Sequence, residues 1–183
     1  RLLLVAAAGL PEFRPVYDAL SRMSFYNLNP REIAAMQKPD AGELLSREGW
    51  NCASVFSKLP ESAKVEIADY LGRIVPGISG VEEKVLGSQE TLEFRQGVKG
   101  QKYAWRFLAS SMSDGTLRAF GVLLSLFQGR GKNGKAPPLV GLEEPEVALH
   151  PAAAGVLLAA LRDASSLAQV IVTSHSPDLL DDA

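Results

Sequence analysis

The clearest periodic signal lies in residues 61–75, where Val65, Ala68, Leu71 and Val75 recur at helical spacing while Lys64, Glu66 and Arg73 take other faces. Pro76-Gly77 ends that helix. Three strand-like stretches follow, at 81–86, 91–96 and 102–108. In the last, Tyr103, Trp105 and Phe107 alternate with Lys102, Ala104 and Arg106. Gly87-Ser88 and the stretch 97–100 supply turns, so the pattern predicts an antiparallel meander. The aromatic alternation admits two readings, a base-stacking platform among basic residues and a half-buried sheet face, and the second is favoured.

Residues 111–183 change character. Ser113-Asp114-Gly115-Thr116 precede an apolar helical segment carrying Leu117, Phe120, Leu124 and Phe127, with Ser113 as a good N-cap. A glycine-rich loop at 129–135 leads through Pro137-Pro138 into the apolar run 139–142, which ends in Glu143-Glu144-Pro145. Pro151 opens an Ala/Leu-rich helix to about Ala164, and 169–173 form a second buried strand ending at Ser174-His175-Ser176. Strand, helix, strand at this spacing is a βαβ crossover, so the two strands are expected to be parallel. Residues 11–59 are broken by Pro11, Pro15, Pro30 and Pro39, with short helices expected around 16–23 and 30–38, and the opening run 2–8 reads as a buried strand.

Composition narrows the class. The chain has 183 residues, 46% apolar, with 19 Lys and Arg against 21 Asp and Glu for a net charge of −2. That fits one soluble globular domain with its own core and excludes a wholesale basic nucleic-acid coat or an acidic disordered tail. Cys52 stands alone, which excludes an internal disulfide and a thiolate-cluster metal site, suits a reducing cytoplasm, and reads as a small buried side chain. No apolar run reaches the roughly 20 residues needed to cross a bilayer, so no membrane is expected. The start at Arg1 and the stop at Asp181-Asp182-Ala183, close behind a motif, suggest a piece of a longer protein.

Ligands of an open parallel sheet bind beyond the carboxyl ends of its strands. Both strands of the βαβ unit end in reactive side chains, Glu143-Glu144 on one and His175 on the other, so two carboxylates and an imidazole are expected at one rim. Adjacent residues at a strand end point to different sides, which lets one glutamate face a metal while the other faces a water. A bare Glu-Glu pair would be a solvated turn. Here it follows four apolar residues and is locked into Glu143-Glu144-Pro145-Glu146-Val147-Ala148-Leu149-His150-Pro151.

That string resembles the Walker B motif and D-loop of ABC-type ATPase heads, in the branch of SMC-like, RecF-like and OLD-like ATPases. Thr173-Ser174-His175-Ser176-Pro177-Asp178-Leu179-Leu180 resembles the switch-histidine segment, and Ser113-Asp114-Gly115-Thr116-Leu117 the signature motif at a helix start. The resemblance implies an α/β fold, part of a P-loop NTPase head, with a parallel βαβ core, a helical region and a small antiparallel meander. It divides a single partial ATPase domain into 1–60, irregular and helical; 61–110, a helix with antiparallel strands; and 111–183, which bears the motifs. It implies ATP and Mg²⁺ as cofactors. Glu143 is then the metal-holding acid, Glu144 the catalytic carboxylate that orients or deprotonates water, and His175 the sensor of the γ-phosphate. Ser113, Asp114 and Gly115 form the signature loop that approaches ATP held by a second head, and His150 falls in the D-loop. Glu143 stands where Asp is commoner. His150 stands where many ABC proteins have aspartate, and a helix-start residue before Pro151 is an equal reading of it. The chemistry agrees: Mg²⁺ takes hard oxygen ligands, phosphoryl transfer is catalysed by positioning and charge, and a helix N-terminus with glycine offers N–H groups to phosphate.

The one near match to G-x-x-x-x-G-K-[ST] is Gly129 to Ala136. It is rejected because Ala136 lacks the metal-binding hydroxyl and because a strand, rather than a helix, follows. The loop reads instead as a basic surface loop, and the Walker A motif is expected N-terminal to these residues. The partners implied are a second head, most simply a homodimer, and DNA or an effector protein. Two further readings are a non-hydrolysing, ATP-gated scaffold, and a metal-dependent nuclease using Glu143, Glu144, Glu146 and His175. The nuclease is weaker because its acids crowd one short turn.

Overall fold

A computed structural model describes residues 5, 9–41, 43–130 and 136–180. Of the expected strand at 2–8 only Val5, which is exposed, falls within them, and most of the glycine-rich loop lies outside them. The elements run α1 (Arg14–Ser21), β1 (Ser24–Tyr26), α2 (Pro30–Ala34), α3 (Cys52–Ser57), α4 (Glu61–Ile74), β2 (Ile78–Leu86), β3 (Gln89–Gln96), β4 (Trp105–Leu108), α5 (Asp114–Phe127), β5 (Leu139–Glu143), α6 (Ala154–Ala164), β6 (Gln169–Thr173) and α7 (Pro177–Leu180).

Two three-stranded sheets flank the helices. The parallel sheet has the order β1-β5-β6, with Phe25 beside Gly141 and Glu143 beside Thr173. The βαβ crossover is therefore as expected, but β1 corrects the reading of residues 1–60 as irregular and helical: three residues are too short to show alternation. The antiparallel sheet is the expected meander β2-β3-β4. Its inner face buries Val81, Leu92 and Phe94, and its outer face carries a cross-strand charge ladder, with Arg95 on Glu82 at 2.6 Å and Arg106 on Glu93 at 2.7 Å. Phe107 is half-buried with Trp105 stacked on it, and Tyr103 precedes the strand, which starts at Trp105 rather than at 102.

Helix α5 is apolar almost all round and buried from Thr116 to Phe127 apart from Arg118, as a helix at the centre of a domain must be. Phe120 receives Phe56 and Phe94 edge-on at 5.3 and 5.6 Å, and Phe127 stacks on Tyr70 of α4. The buried face of α4 is Ala63, Ile67, Tyr70, Leu71 and Ile74, a rotation from the Val65-Ala68-Leu71-Val75 face that the sequence suggests; Val65 is 59% exposed. The hydroxyl of Tyr70 donates to Asp163, tying α4 to α6.

The irregular segment between α2 and α3 is held by buried amides. Gln128 donates to the Tyr26 hydroxyl at 2.7 Å and accepts from Leu45 N at 2.8 Å. Asn51 donates to Asp40 and to the Leu44 carbonyl, and Gln37 pairs its backbone with Glu90 of β3. Buried backbone groups there find partners that no ladder supplies.

Candidate active site

The site is built at the carboxyl ends of β5 and β6. Their ladder extends one residue past β5, where Glu144 N donates to Thr173 O at 2.9 Å. The chain then turns sharply. Glu144 has φ +43° and Ala148 has φ +67°, left-handed conformations that side chains avoid at a cost of about 1–2 kcal/mol each. Such strain at a strand end is a mark of a functional site. Val147 N on Glu144 O and Leu149 N on Glu146 O close the turn.

The turn throws the two glutamates apart. Glu143 is exposed and lines, with Phe25, Arg47, Gly141 and Thr173, a cavity of about 510 Å³ over the open face of the parallel sheet. Glu144 reaches across to β6, where its Oε1 lies 3.5 Å from Nε2 of His175. Glu146 turns to the Ser174 hydroxyl, which donates to its Oε1. Of the four side chains of the nuclease reading, Glu144 and His175 meet, while Glu143 and Glu146 turn to other contacts.

The helix start at Ser113 packs beside this turn. Ser113 Oγ accepts from Thr116 N at 3.2 Å, closing the cap, with Asp114 exposed in the first turn. A Cβ on Gly115 would lie 2.4 Å from the Ala148 carbonyl, so only glycine fits. The structure therefore brings the Ser113–Gly115 loop against the turn after Glu144, while the hydrogen bonds of Ser113 stay within its own cap. His150 Nδ1 accepts from Ala152 N at 3.2 Å and caps the turn leading into α6.

Sequence reasoning misses Arg118. Its guanidinium donates to the carbonyls of Leu28 at 3.3 Å and Glu143 at 3.4 Å, so α5 grips the ends of both β1 and β5. A lone arginine within an otherwise buried helix is the available signal.

A Mg²⁺ ion keeps several waters and takes one or two protein carboxylates with substrate phosphates. An exposed Glu143 at a strand end fits that donor set, and among the described residues no group of three or more His, Cys, Asp and Glu side chains is arranged as a protein-only cage.

Comparison with known proteins bears on this arrangement. Residues 100–181 match the family described as "AAA domain, putative AbiEii toxin, Type IV TA system". The fold is similar to that of the Smc head domain of Pyrococcus furiosus with an extended coiled coil, bound to the C-terminal domain of ScpA. The TM-score is 0.50 at 15% identity, covering 67% of this chain and 30% of that one. The chain has the fold of an Smc head domain. The fold is equally similar to that of an Smc head bound to the C-winged helix domain of ScpA, at TM-score 0.50 and 15% identity over 67% of this chain and 37% of that one. This chain spans about a third of the length of those chains, and no curated protein matches it. Among its described residues no helix is long and apolar enough to cross a membrane.

Proposed function

We propose that this head hydrolyses ATP with Mg²⁺ at an interface between two heads. The observation that carries the reading is the 3.5 Å approach of His175 Nε2 to Glu144 Oε1 at the carboxyl ends of adjacent parallel strands. Glu144, held in a left-handed conformation, accepts a proton from a water that it orients, and His175 stands beside it as a donor toward a terminal phosphate. Mg²⁺, held through Glu143 and water, would supply charge neutralisation on the phosphates. Ser113, Asp114 and Gly115 present a capped helix start whose N–H groups suit a phosphate carried by the second head. His150, in the turn between Glu144 and α6, lies on the same rim.

The 183 residues hold no G-x-x-x-x-G-K-[ST] sequence, so the phosphate loop of this reading comes from outside them. Alone they bind ATP weakly or not at all, and a submillimolar affinity in a nucleotide titration contradicts that. The closure of two heads passes to DNA or to an effector protein, in the cytoplasm. The test is the size of the full-length protein carrying Glu144→Gln with ATP and Mg²⁺. A nucleotide-dependent dimer that persists after the wild type has dissociated supports the reading, and a monomer under all nucleotide conditions overturns it.

A further inference from the structure

We propose that Ser174 and Glu146 are a positioning pair that holds His175 against Glu144, an inference that rests on the ATPase reading of that site for its consequence but not for its geometry. The His175 side chain is 92% exposed, so no packing fixes its ring. Its place is inherited from a backbone that has left β6 at Thr173 and not yet entered α7.

Ser174 Oγ straddles that stretch. It accepts from Ser176 N at 3.0 Å, closing a small turn with His175 at its centre. A serine hydroxyl has one hydrogen to give, and this one goes to Glu146 Oε1. A hydroxyl bonded to a carboxylate is of the stronger, charge-assisted kind. Glu146 is in turn fixed by the tight turn that begins at Glu144, where its carbonyl accepts from Leu149 N at 3.0 Å. The links form a closed ring: Glu144 to Glu146 along the chain, Glu146 to Ser174 by the hydroxyl, Ser174 to His175 along the chain, and His175 back to Glu144 at 3.5 Å.

The ring has a cost that a purely structural contact would not need. Glu146 Oε2 is buried with no hydrogen-bond partner, and leaving a buried acceptor unpaired costs free energy. Serving as acceptor for Ser174 gives that carboxylate a purpose. Without the ring, the backbone that carries His175 is free to shift, and the imidazole meets Glu144 for a smaller share of the time.

The test has two arms. In the 183-residue chain, which contains only two histidines, NMR of labelled imidazole separates His175 from His150. Ser174→Ala and, independently, Glu146→Ala are expected to move the His175 signal and leave the His150 signal in place, while Ser174→Thr, which keeps the hydroxyl, returns the His175 signal to its wild-type position. In the full-length protein Ser174→Ala is expected to lower kcat about tenfold with KM for ATP little changed, since a small misplacement of a reacting group costs rate. A His175 signal unmoved in both folded alanine variants overturns the proposal. So does an unchanged kcat for Ser174→Ala where Glu144→Gln abolishes turnover. If Glu144→Gln leaves turnover intact, the ATPase reading falls and the NMR arm alone decides the pair.

Discussion

Gly115, the second residue of α5, lies so close to Ala148 that an added Cβ would stand 2.4 Å from the Ala148 carbonyl oxygen. The start of the signature-like helix is thus seated on the turn that follows Glu144 within a single chain.

Gly115→Ala forces that contact apart, and the obstructing atom is backbone. The substitution is expected to destabilise by about 1–3 kcal/mol in chemical denaturation, the usual range for overpacking. Gly141→Ala is the control. There the Cβ meets the ring of Phe25 at 2.3 Å, but Phe25 is 57% exposed and can swing away, so a smaller loss is expected. Equal losses at the two sites contradict the close seating of α5.

Ala148 holds φ +67°, a conformation that glycine adopts freely. Ala148→Gly is expected to stabilise the fold by about 0.5–1 kcal/mol, the relief of the left-handed strain less the extra chain entropy of glycine. A denaturation midpoint that falls instead contradicts strain in this turn.

Cys52 is fully buried, and its thiol is pushed up to about 12 by burial, against a hydrogen bond from Gln37 Nε2 at 3.1 Å that favours the thiolate. Thiolate is the reactive form. Alkylation of the native protein at pH 8 is expected to proceed at the rate of unfolding, whereas fast labelling without denaturant contradicts this packing.

Arg106 holds the Glu93 carboxyl below its ordinary value by a hydrogen bond at 2.7 Å, with Lys84 adding to the effect and partial burial opposing it. A depressed carboxylate stabilises fully above its unfolded pKa, near 4.5, and loses that contribution as pH falls through the folded value. The melting temperatures of wild type and Glu93→Gln are expected to differ most near neutral pH and to converge in acid. A gap that stays constant down to acid contradicts the outer charge ladder.

Much of this was legible in sequence where local pattern and tertiary role coincide. The βαβ unit shows itself because both of its strands are continuous apolar runs with reactive residues at their carboxyl ends, Glu143-Glu144 and His175. Ser113 shows itself as a cap because capping is local. Strand β1 is hidden because its three residues gain their meaning from Gly141, far along the chain. The segment between α2 and α3 is hidden because Gln37, Asn51 and Gln128 hold it by long-range hydrogen bonds with no period. The face of α4 is misread because Val65 is as apolar as Ile67, and only the neighbours decide which is covered. Within the site, the left-handed Glu144, the Ser174 bond to Glu146 and the reach of Arg118 to the Glu143 carbonyl depend on backbone placement.

The central claim is that Glu144, set beside His175 at the carboxyl ends of β5 and β6, is the carboxylate of an ATPase. The rate of ATP hydrolysis by the full-length protein with Mg²⁺, wild type against Glu144→Gln, tests it most directly. The account predicts a loss of at least about 100-fold, as for removal of a general base, with nucleotide still bound. A rate within about twofold of wild type, less than the smallest contribution expected of such a group, contradicts it.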